Sequence, residues 1–290
     1  MRKPAWQVTF DRILGRVTAN PIVSQGIAVM DAANEAAAPL FAMALAFATL
    51  FAVIPLILLV AGVIGWLVQD AAQREALLEQ LVNLIPPLAD LFDQTLDNLA
   101  QASGTLSVIG LIGLLWGSSS FYGALDEVMR RIFPGGGIRD VVVRRIRGLL
   151  AILILVALVV GSIVVGAIWQ LLDTRVQEFG LWRFLAPVAG LTAAVLVVWA
   201  CYLVVPTKPP SWRAALPPAI VAGIGIGLLT ALFGLLTPLL IGALAGLGVL
   251  ATVFGALIWL NFSYQILFYG AAWARVRRDR EEAASMIVGA

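Results

Sequence analysis

The side chains best suited to bind a polar solute within an apolar segment are the amides Asn261 and Gln265. Their spacing of four residues places them one turn apart on the same face of a helix. A polar side chain in a membrane needs a partner or water, so such groups often mark a pathway. A hydrogen bond between helices is the structural alternative. We interpret the pair as a candidate intramembrane polar site.

Three consecutive serines are a second candidate for the same site. Ser118, Ser119 and Ser120 end another apolar run beside Trp116. Serine hydroxyls also bond to the carbonyls of their own helix, so the alternative is a purely local role.

Four prolines inside apolar runs are expected to break or bend helices. They are Pro55, Pro217, Pro218 and Pro238. Discontinuous helices of this kind form the binding sites of transporters, although ordinary membrane spans also tolerate proline.

Arginines follow the second apolar run and are candidates for lipid-headgroup contacts. They are Arg130, Arg131, Arg144, Arg145 and Arg147. Guanidinium groups match phosphate oxygens, and anionic lipids attract basic residues near the membrane surface. The alternative is that these charges only fix the topology.

The composition excludes several kinds of chemistry. The chain has no histidine and one cysteine, so it lacks the commonest metal ligand, the usual acid–base group at neutral pH and any intrachain disulfide. No nucleophile, base and orienting group can be assembled from the sequence. We therefore expect no enzyme activity, no cofactor, no metal site and no nucleic-acid partner.

The elements that carry these residues are predicted to be membrane helices, because 61% of the 290 residues are hydrophobic and only 12% are charged. About 20 apolar residues cross the hydrocarbon of a bilayer as a helix. Six long runs contain no Asp, Glu, Lys or Arg, namely residues 40–68, 105–122, 148–169, 184–205, 216–240 and 249–274. The predicted fold is all-α, with six transmembrane helices in one domain over residues 40–274.

The basic residues predict the orientation of the spans. Sixteen of the 19 Lys and Arg residues lie in the N-terminal segment, the second and fourth loops and the C-terminal tail. Arg74, Arg175 and Arg183 lie on the other side. Because cytoplasmic loops carry an excess of Lys and Arg, both termini are expected in the cytoplasm.

Helices are also predicted outside the spans. Residues 1–39 are expected to form cytoplasmic or interfacial helices, the last of them over Ser24 to Ala38, with a bend at or near Pro39. Residues 69–104 contain two apolar stripes, which predict an outer amphipathic hairpin between the first and second spans. Residues 275–290 are expected to form a cytoplasmic tail. Within the spans, small residues four apart, such as Gly223 and Gly227, predict close helix contacts.

Several short motifs occur in a fixed order from about Asp31 to Arg278. They are Ala44-Leu45-Ala46-Phe47 before Pro55-Leu56, the segment Phe121 to Phe133, Tyr202 to Pro206, Arg213 with Leu216-Pro217, and Ile258-Trp259-Leu260 before Gly270-Ala271. Their order and spacing resemble the YihY/BrkB family of bacterial inner-membrane proteins, once labelled ribonuclease BN. The resemblance implies an integral protein of the cytoplasmic membrane linked to envelope integrity. The ribonuclease label does not fit a chain without histidine.

We therefore expect a membrane protein that moves or redistributes a lipid or other amphipathic solute, with membrane lipids as partners. The alternative is a non-transporting scaffold, in which the polar residues only join helices and the outer hairpin docks an envelope protein. A homo-oligomer is compatible with either function. A cavity that reaches Asn261 and Gln265 favours transport, and a solid core favours the scaffold.

Overall fold

The computed structural model describes residues 20–67, 120–135, 182–243 and 249–288, and all regular secondary structure within these ranges is α-helical. The helices are α1 (Pro21–Glu35), α2 (Ala38–Leu67), α3 (described over residues 120–132), α4 (Trp182–Val204), α5 (Trp212–Ala243) and α6 (Val249–Val288). This part of the chain confirms the all-α prediction. The predicted span 148–169, the hairpin over 69–104 and most of the span 105–122 lie outside the described residues.

Two of these helices are long and apolar enough to cross a bilayer. They are α5 over Trp212–Leu236 and α6 over Leu250–Ile287, and the bent pair α1–α2 provides a third if it counts as one span. Large apolar side chains point outward along both α5 and α6, as at Leu235, which is 75% exposed. Because lipid tails are the solvent that such a surface requires, the structure supports a location in a membrane.

The helix α6 is the central element of the described structure, since it packs against α5, α2, α1 and, less extensively, α4. It begins at Val249 as predicted but continues to Val288, well beyond the end of the apolar run at Ala274. Its 40 residues correspond to a length of about 60 Å. The polar tail is therefore a direct helical extension of the last span.

A bend separates α1 from α2, as the sequence predicted near Pro39. The two helix axes differ by 57° across Ala36 and Ala37. Ala37 has a φ of 53°, the left-handed conformation that commonly ends a helix. Its carbonyl accepts the backbone N–H of Phe41 at 3.1 Å, which starts the hydrogen-bond ladder of α2.

The helices continue through all four prolines that were expected to break or bend them. The backbone of α2 is helical through Pro55, and that of α5 is helical through Pro217, Pro218 and Pro238. Proline removes one backbone donor, and a membrane helix tolerates that loss where neighbouring groups satisfy the freed carbonyl. The interruption in the described helices lies at Ala36–Ala37, close to the bend predicted near Pro39.

Small residues allow the helix contacts that the sequence predicted. A Cβ added at Gly223 would lie 2.8 Å from the Cα of Val195, and one added at Gly227 would lie 3.1 Å from Leu191. These distances place the α5 backbone directly against α4, which confirms the predicted role of the Gly223 and Gly227 pair. Gly270 of α6 similarly packs against the Tyr202 side chain of α4. Close approach of this kind gains dispersion energy in lipid, where no hydrophobic drive between helices exists.

Candidate functional site

The predicted amide pair lies midway along the apolar part of α6. Gln265 Nε2 donates a hydrogen bond to Asn261 Oδ1 at 3.3 Å, and both side chains are partly buried. The two amides therefore share one face of the helix, as their spacing predicted. Each amide has two donors and two acceptor lone pairs, so this single bond leaves polar capacity for another group.

A hydroxyl pair that includes Tyr264, in the same turn of α6 as the amides, connects this turn to α2. The Thr49 hydroxyl donates to the Leu45 carbonyl at 2.7 Å, and Thr49 Oγ1 lies 2.7 Å from the Tyr264 hydroxyl. Thr49 has only one hydrogen to donate, so the Tyr264 hydroxyl is the donor to Thr49 Oγ1. We define Thr49, Asn261, Tyr264 and Gln265 as the mid-membrane polar cluster.

Thr49 was not identified from the sequence as part of this cluster. An isolated threonine in an apolar helix usually bonds to its own backbone, so its type and position gave no signal of a distant partner. The chemical signal in the sequence was the tyrosine, because a buried phenol requires an acceptor. Tyr264 also faces the rings of Phe121 and Phe268, each with a centroid 6.2 Å away. The cluster thus lies where α2, α3 and α6 meet.

The opposite face of α6 carries polar groups that are satisfied by packing. Ser263 donates to the carbonyl of Trp259 at 2.8 Å, and Trp259 Nε1 donates to Thr230 Oγ1 of α5 at 3.2 Å. Of the serine candidates, Ser120 lies exposed at the first described position of α3, whereas Ser118 and Ser119 lie outside the described residues.

Ion pairs join the polar ends of several helices. We call the region formed by Glu35, Lys208, Arg275, Arg278 and Glu282 the charged end. Arg275 Nη1 lies 3.2 Å from Glu35 Oε2 of α1, and Lys208 of the α4–α5 connection lies 2.9 Å from Glu282 of α6. Segments that the charge distribution assigned to the same side of the membrane therefore meet in space.

Arg278 is the buried centre of the charged end, with only 6% of its surface exposed. It donates to Asp279 Oδ1 from Nη2 at 2.9 Å and to the Lys208 carbonyl from Nη1 at 3.1 Å. Its guanidinium carbon also lies 5.6 Å from the centroid of the Phe133 ring. Burial of a charge is costly unless it is paired, and these contacts supply the pairing.

The two described arginines of the headgroup candidates are engaged by the protein itself. Arg131 Nε donates to Glu127 Oε1 at 2.9 Å, Arg130 pairs with the other oxygen of Glu127, and Arg131 lies over the Phe41 ring. The hydrogen bond from Arg131, with a further contribution from Arg130, lowers the pKa of Glu127 from its usual value of 4.5. Arg144, Arg145 and Arg147 lie outside the described residues.

The described polar groups can bind a polar solute by hydrogen bonds or charge. Within the described ranges, no group of three or more His, Cys, Asp and Glu side chains is arranged to hold a metal ion. The mid-membrane polar cluster offers hydroxyl and amide groups that can hydrogen-bond a polar head. At the charged end, the guanidinium groups of Arg275 and Arg278 are paired with carboxylates.

Comparison with known proteins places these features in a family. A family model described as virulence factor BrkB matches residues 29–287. A UPF0761 membrane protein of Glaesserella parasuis serovar 5 is 27% identical over 215 residues, which cover 72% of this chain and 76% of that protein. A UPF0761 membrane protein of Tolumonas auensis is 26% identical over 253 residues, which cover 80% and 78% of the two chains. No solved structure gives a significant match to the chain.

Proposed function

The chain belongs to the BrkB family of membrane proteins, as the sequence motifs predicted, and from that premise we propose its function. It is an inner-membrane protein with six transmembrane helices and both termini in the cytoplasm. It moves or redistributes a lipid or another amphipathic solute between the two sides of the membrane, in support of envelope integrity. It acts without enzyme chemistry or a cofactor, and its partners are membrane lipids.

The contacts at the charged end support this topology. Lys208 follows α4, Glu35 precedes α2, and Arg278 lies in the extension of α6, yet ion pairs and hydrogen bonds join all three segments. The helices α4 and α6 end in this region, whereas α2 and α5 begin there, so α2 and α5 run antiparallel to α4 and α6, as alternating membrane spans do. The excess of basic residues at that end supports its assignment to the cytoplasm.

The observation that carries the proposed activity is the mid-membrane polar cluster. Asn261 and Gln265 lie at the centre of an apolar helix and bond to one another through a single long contact of 3.3 Å. An amide pair needed only for packing would be expected to bond fully to a neighbouring helix, as Trp259 does to Thr230. A pair whose remaining donors and acceptors have no partner among the described residues is suited at this depth to binding a polar headgroup in transit.

Reconstitution tests the proposed activity directly. The wild-type chain is placed in liposomes with a panel of fluorescently labelled lipids, and movement between leaflets is followed by quenching from outside. Asn261→Ala and Gln265→Ala are each expected to slow the movement by about tenfold, which corresponds to about 1.4 kcal/mol of lost stabilisation of the passing headgroup.

Ser263→Ala is the matched control, because its hydroxyl lies in the same stretch of α6 but bonds to its own helix at Trp259. This variant should retain wild-type movement. Loss of activity in all three variants would point to a folding defect and not to a polar site. Absence of any movement above that in empty liposomes would rule out the transport function.

A scaffold function is the second candidate, and it is favoured by the tightness of the core. Gly270 leaves no room beside Tyr202, and Ala271, Ala272 and Ala274 are fully buried in the same stretch of α6. In a scaffold, the polar cluster only holds α2 and α6 together, and the protein docks an envelope partner or a second copy of itself. Wild-type envelope integrity in cells that carry Asn261→Ala and Gln265→Ala together would favour this function.

A further inference from the structure

One face of the α6 extension carries basic and aromatic side chains that have no acidic partner in the described part of the chain. Trp273, Arg277 and Arg280 are spaced at i, i+4 and i+7, which aligns them along one side of the helix. They begin where the apolar run ends at Ala274, which is the level of lipid headgroups for a span of this length. We call these three residues the basic face.

The arginines on the other side of the extension are already neutralised. Arg275 pairs with Glu35 and Asp279, and Arg278 pairs with Asp279 and approaches Glu282. Neither Arg277 nor Arg280 has a carboxylate within 4.0 Å in the part of the chain that the structure describes. Positive charge that no described carboxylate compensates is therefore concentrated on the basic face.

Two donors on the basic face have no acceptor among the described residues. They are Trp273 Nε1 and Arg277 Nε, and both atoms are shielded from solvent. Glu281, one turn beyond Arg277, instead accepts a hydrogen bond from Ser211 at 2.7 Å. A shielded donor without an acceptor destabilises the structure, and an anionic group seated on this face would provide the missing acceptor.

We propose that Trp273, Arg277 and Arg280 bind a phosphate group, and that this group belongs to an anionic membrane phospholipid. The indole N–H and the two guanidinium groups are donors only, so the ligand must be an acceptor. Phosphate oxygens accept bidentate bonds from guanidinium, and tryptophan is enriched at the membrane interface. The site differs from the headgroup contacts expected at Arg130 and Arg131, which Glu127 engages.

Lipid retention measured by native mass spectrometry tests the site. The full-length chain is extracted from nanodiscs of phosphatidylcholine alone or of phosphatidylcholine mixed with phosphatidylglycerol, and the retained lipids are counted. The wild type is expected to retain phosphatidylglycerol in preference to phosphatidylcholine. Arg277→Gln combined with Arg280→Gln should weaken this retention by about tenfold or more, and Trp273→Phe by about fivefold because only one neutral donor is lost.

Lys208→Gln is the control for loss of charge, since it removes one positive charge from the charged end at a site paired with Glu282, and it is compared with Arg277→Gln alone as well as with the double variant. It should retain the lipid like the wild type. Equal retention by the wild type and the double variant, or an equal loss in Lys208→Gln, would overturn the proposal. Thermal melting of each variant in detergent separates loss of the site from loss of the fold.

A titration with inorganic phosphate distinguishes the two sources of the ligand. If phosphate protects the wild type against thermal melting, and the charge of the nanodisc lipid has no effect on retention, the basic face binds soluble phosphate and the lipid assignment is overturned. If only phosphatidylglycerol is retained, the lipid assignment stands. This assay measures binding and not movement across the membrane, so its outcome is independent of the proposed transport function.

Discussion

The Tyr264 hydroxyl donates to Thr49 Oγ1 at 2.7 Å and thereby joins α6 to α2 across 215 residues of the chain. The same Thr49 oxygen donates its own hydrogen to the Leu45 carbonyl at 2.7 Å. Thr49 and Tyr264 therefore depend on their shared hydrogen bond to different degrees. Tyr264 depends on Thr49 for its acceptor, whereas Thr49 retains a bond within its own helix if Tyr264 is removed.

This inequality predicts different effects for the two obvious substitutions. Tyr264→Phe should reduce the free energy of unfolding by about 0.5 kcal/mol, because no polar group loses its last partner. Thr49→Val should reduce it by about 1–3 kcal/mol, because the Tyr264 hydroxyl is left without an acceptor in apolar surroundings. Unfolding in mixed detergent, followed by tryptophan fluorescence, measures both losses. Equal losses would show that the donor assignment is wrong.

Part of this structure could be predicted from the sequence because lipid imposes simple rules. Apolar runs located α2, α4, α5 and the start of α6, and the spacing of Gly223 and Gly227 predicted the contact of α5 with α4. The amide pair was found because two polar residues one turn apart are conspicuous in an apolar helix.

The remaining features depend on tertiary contacts that leave little trace in a sequence. The composition of the charged tail does not reveal that α6 continues through it as a helix. In the structure, this extension forms ion pairs with Glu35 and Lys208. The acceptor of Tyr264 lies 215 residues away. Pro39 indicated the bend, but the sequence did not indicate that Ala37 adopts a left-handed backbone there.

Substitution of Gly270 should destabilise the contact between α6 and α4. A Cβ at this position would collide with the Tyr202 hydroxyl and lie 3.0 Å from the Cβ of Ala222. Tyr202 is held in place because its hydroxyl donates to the Leu267 carbonyl at 2.7 Å. We expect Gly270→Ala to reduce the free energy of unfolding by about 1–3 kcal/mol, as overpacking does in other cores.

Gly234→Ala is the control for Gly270→Ala, because a Cβ at Gly234 would meet no atom within 4 Å. Alanine has a higher helix propensity than glycine by about 1 kcal/mol, so this variant should be neutral or slightly stabilised. Detergent unfolding of the two variants side by side makes the comparison. A similar loss in both would mean that the close approach at Gly270 does not limit packing.

Ala37→Gly should stabilise the bend between α1 and α2. Ala37 adopts a φ of 53°, where a side chain costs about 1 kcal/mol and glycine has no such penalty. The free energy of unfolding should therefore rise by up to about 1 kcal/mol. Ala36→Gly, at the neighbouring buried position, should instead lower it, because glycine there only adds flexibility and removes a packed methyl group. A thermal melting series of both variants measures the difference in sign.

Acidification should weaken the contact of Glu127 with Arg130 and Arg131. The pKa of Glu127 is lowered in the folded protein, first by the hydrogen bond from Arg131. Its carboxylate therefore stabilises the fold above the usual pKa of 4.5, and this contribution is lost as the pH falls through the lowered value. The effect should be small, about 0.5 kcal/mol, because the pairs are partly exposed.

Glu127→Gln removes the titrating group and should remove this part of the pH dependence. Melting temperatures of the wild type and the variant between neutral and acidic pH provide the test, and the two curves should converge at low pH. A constant gap at every pH would assign the stability difference to packing and not to charge.

The uninterrupted course of α6 has a mechanical consequence. The backbone of α6 is helical without a break from Asn261 to Arg278, so the amide pair and the buried arginine lie on one continuous helix. We expect that a change in the contacts of the α6 extension, such as loss of an ion pair, tilts the helix and thereby shifts Asn261 and Gln265. The tight contact of Gly270 with Tyr202 lies between these two regions of α6, so we expect the helix to pivot there.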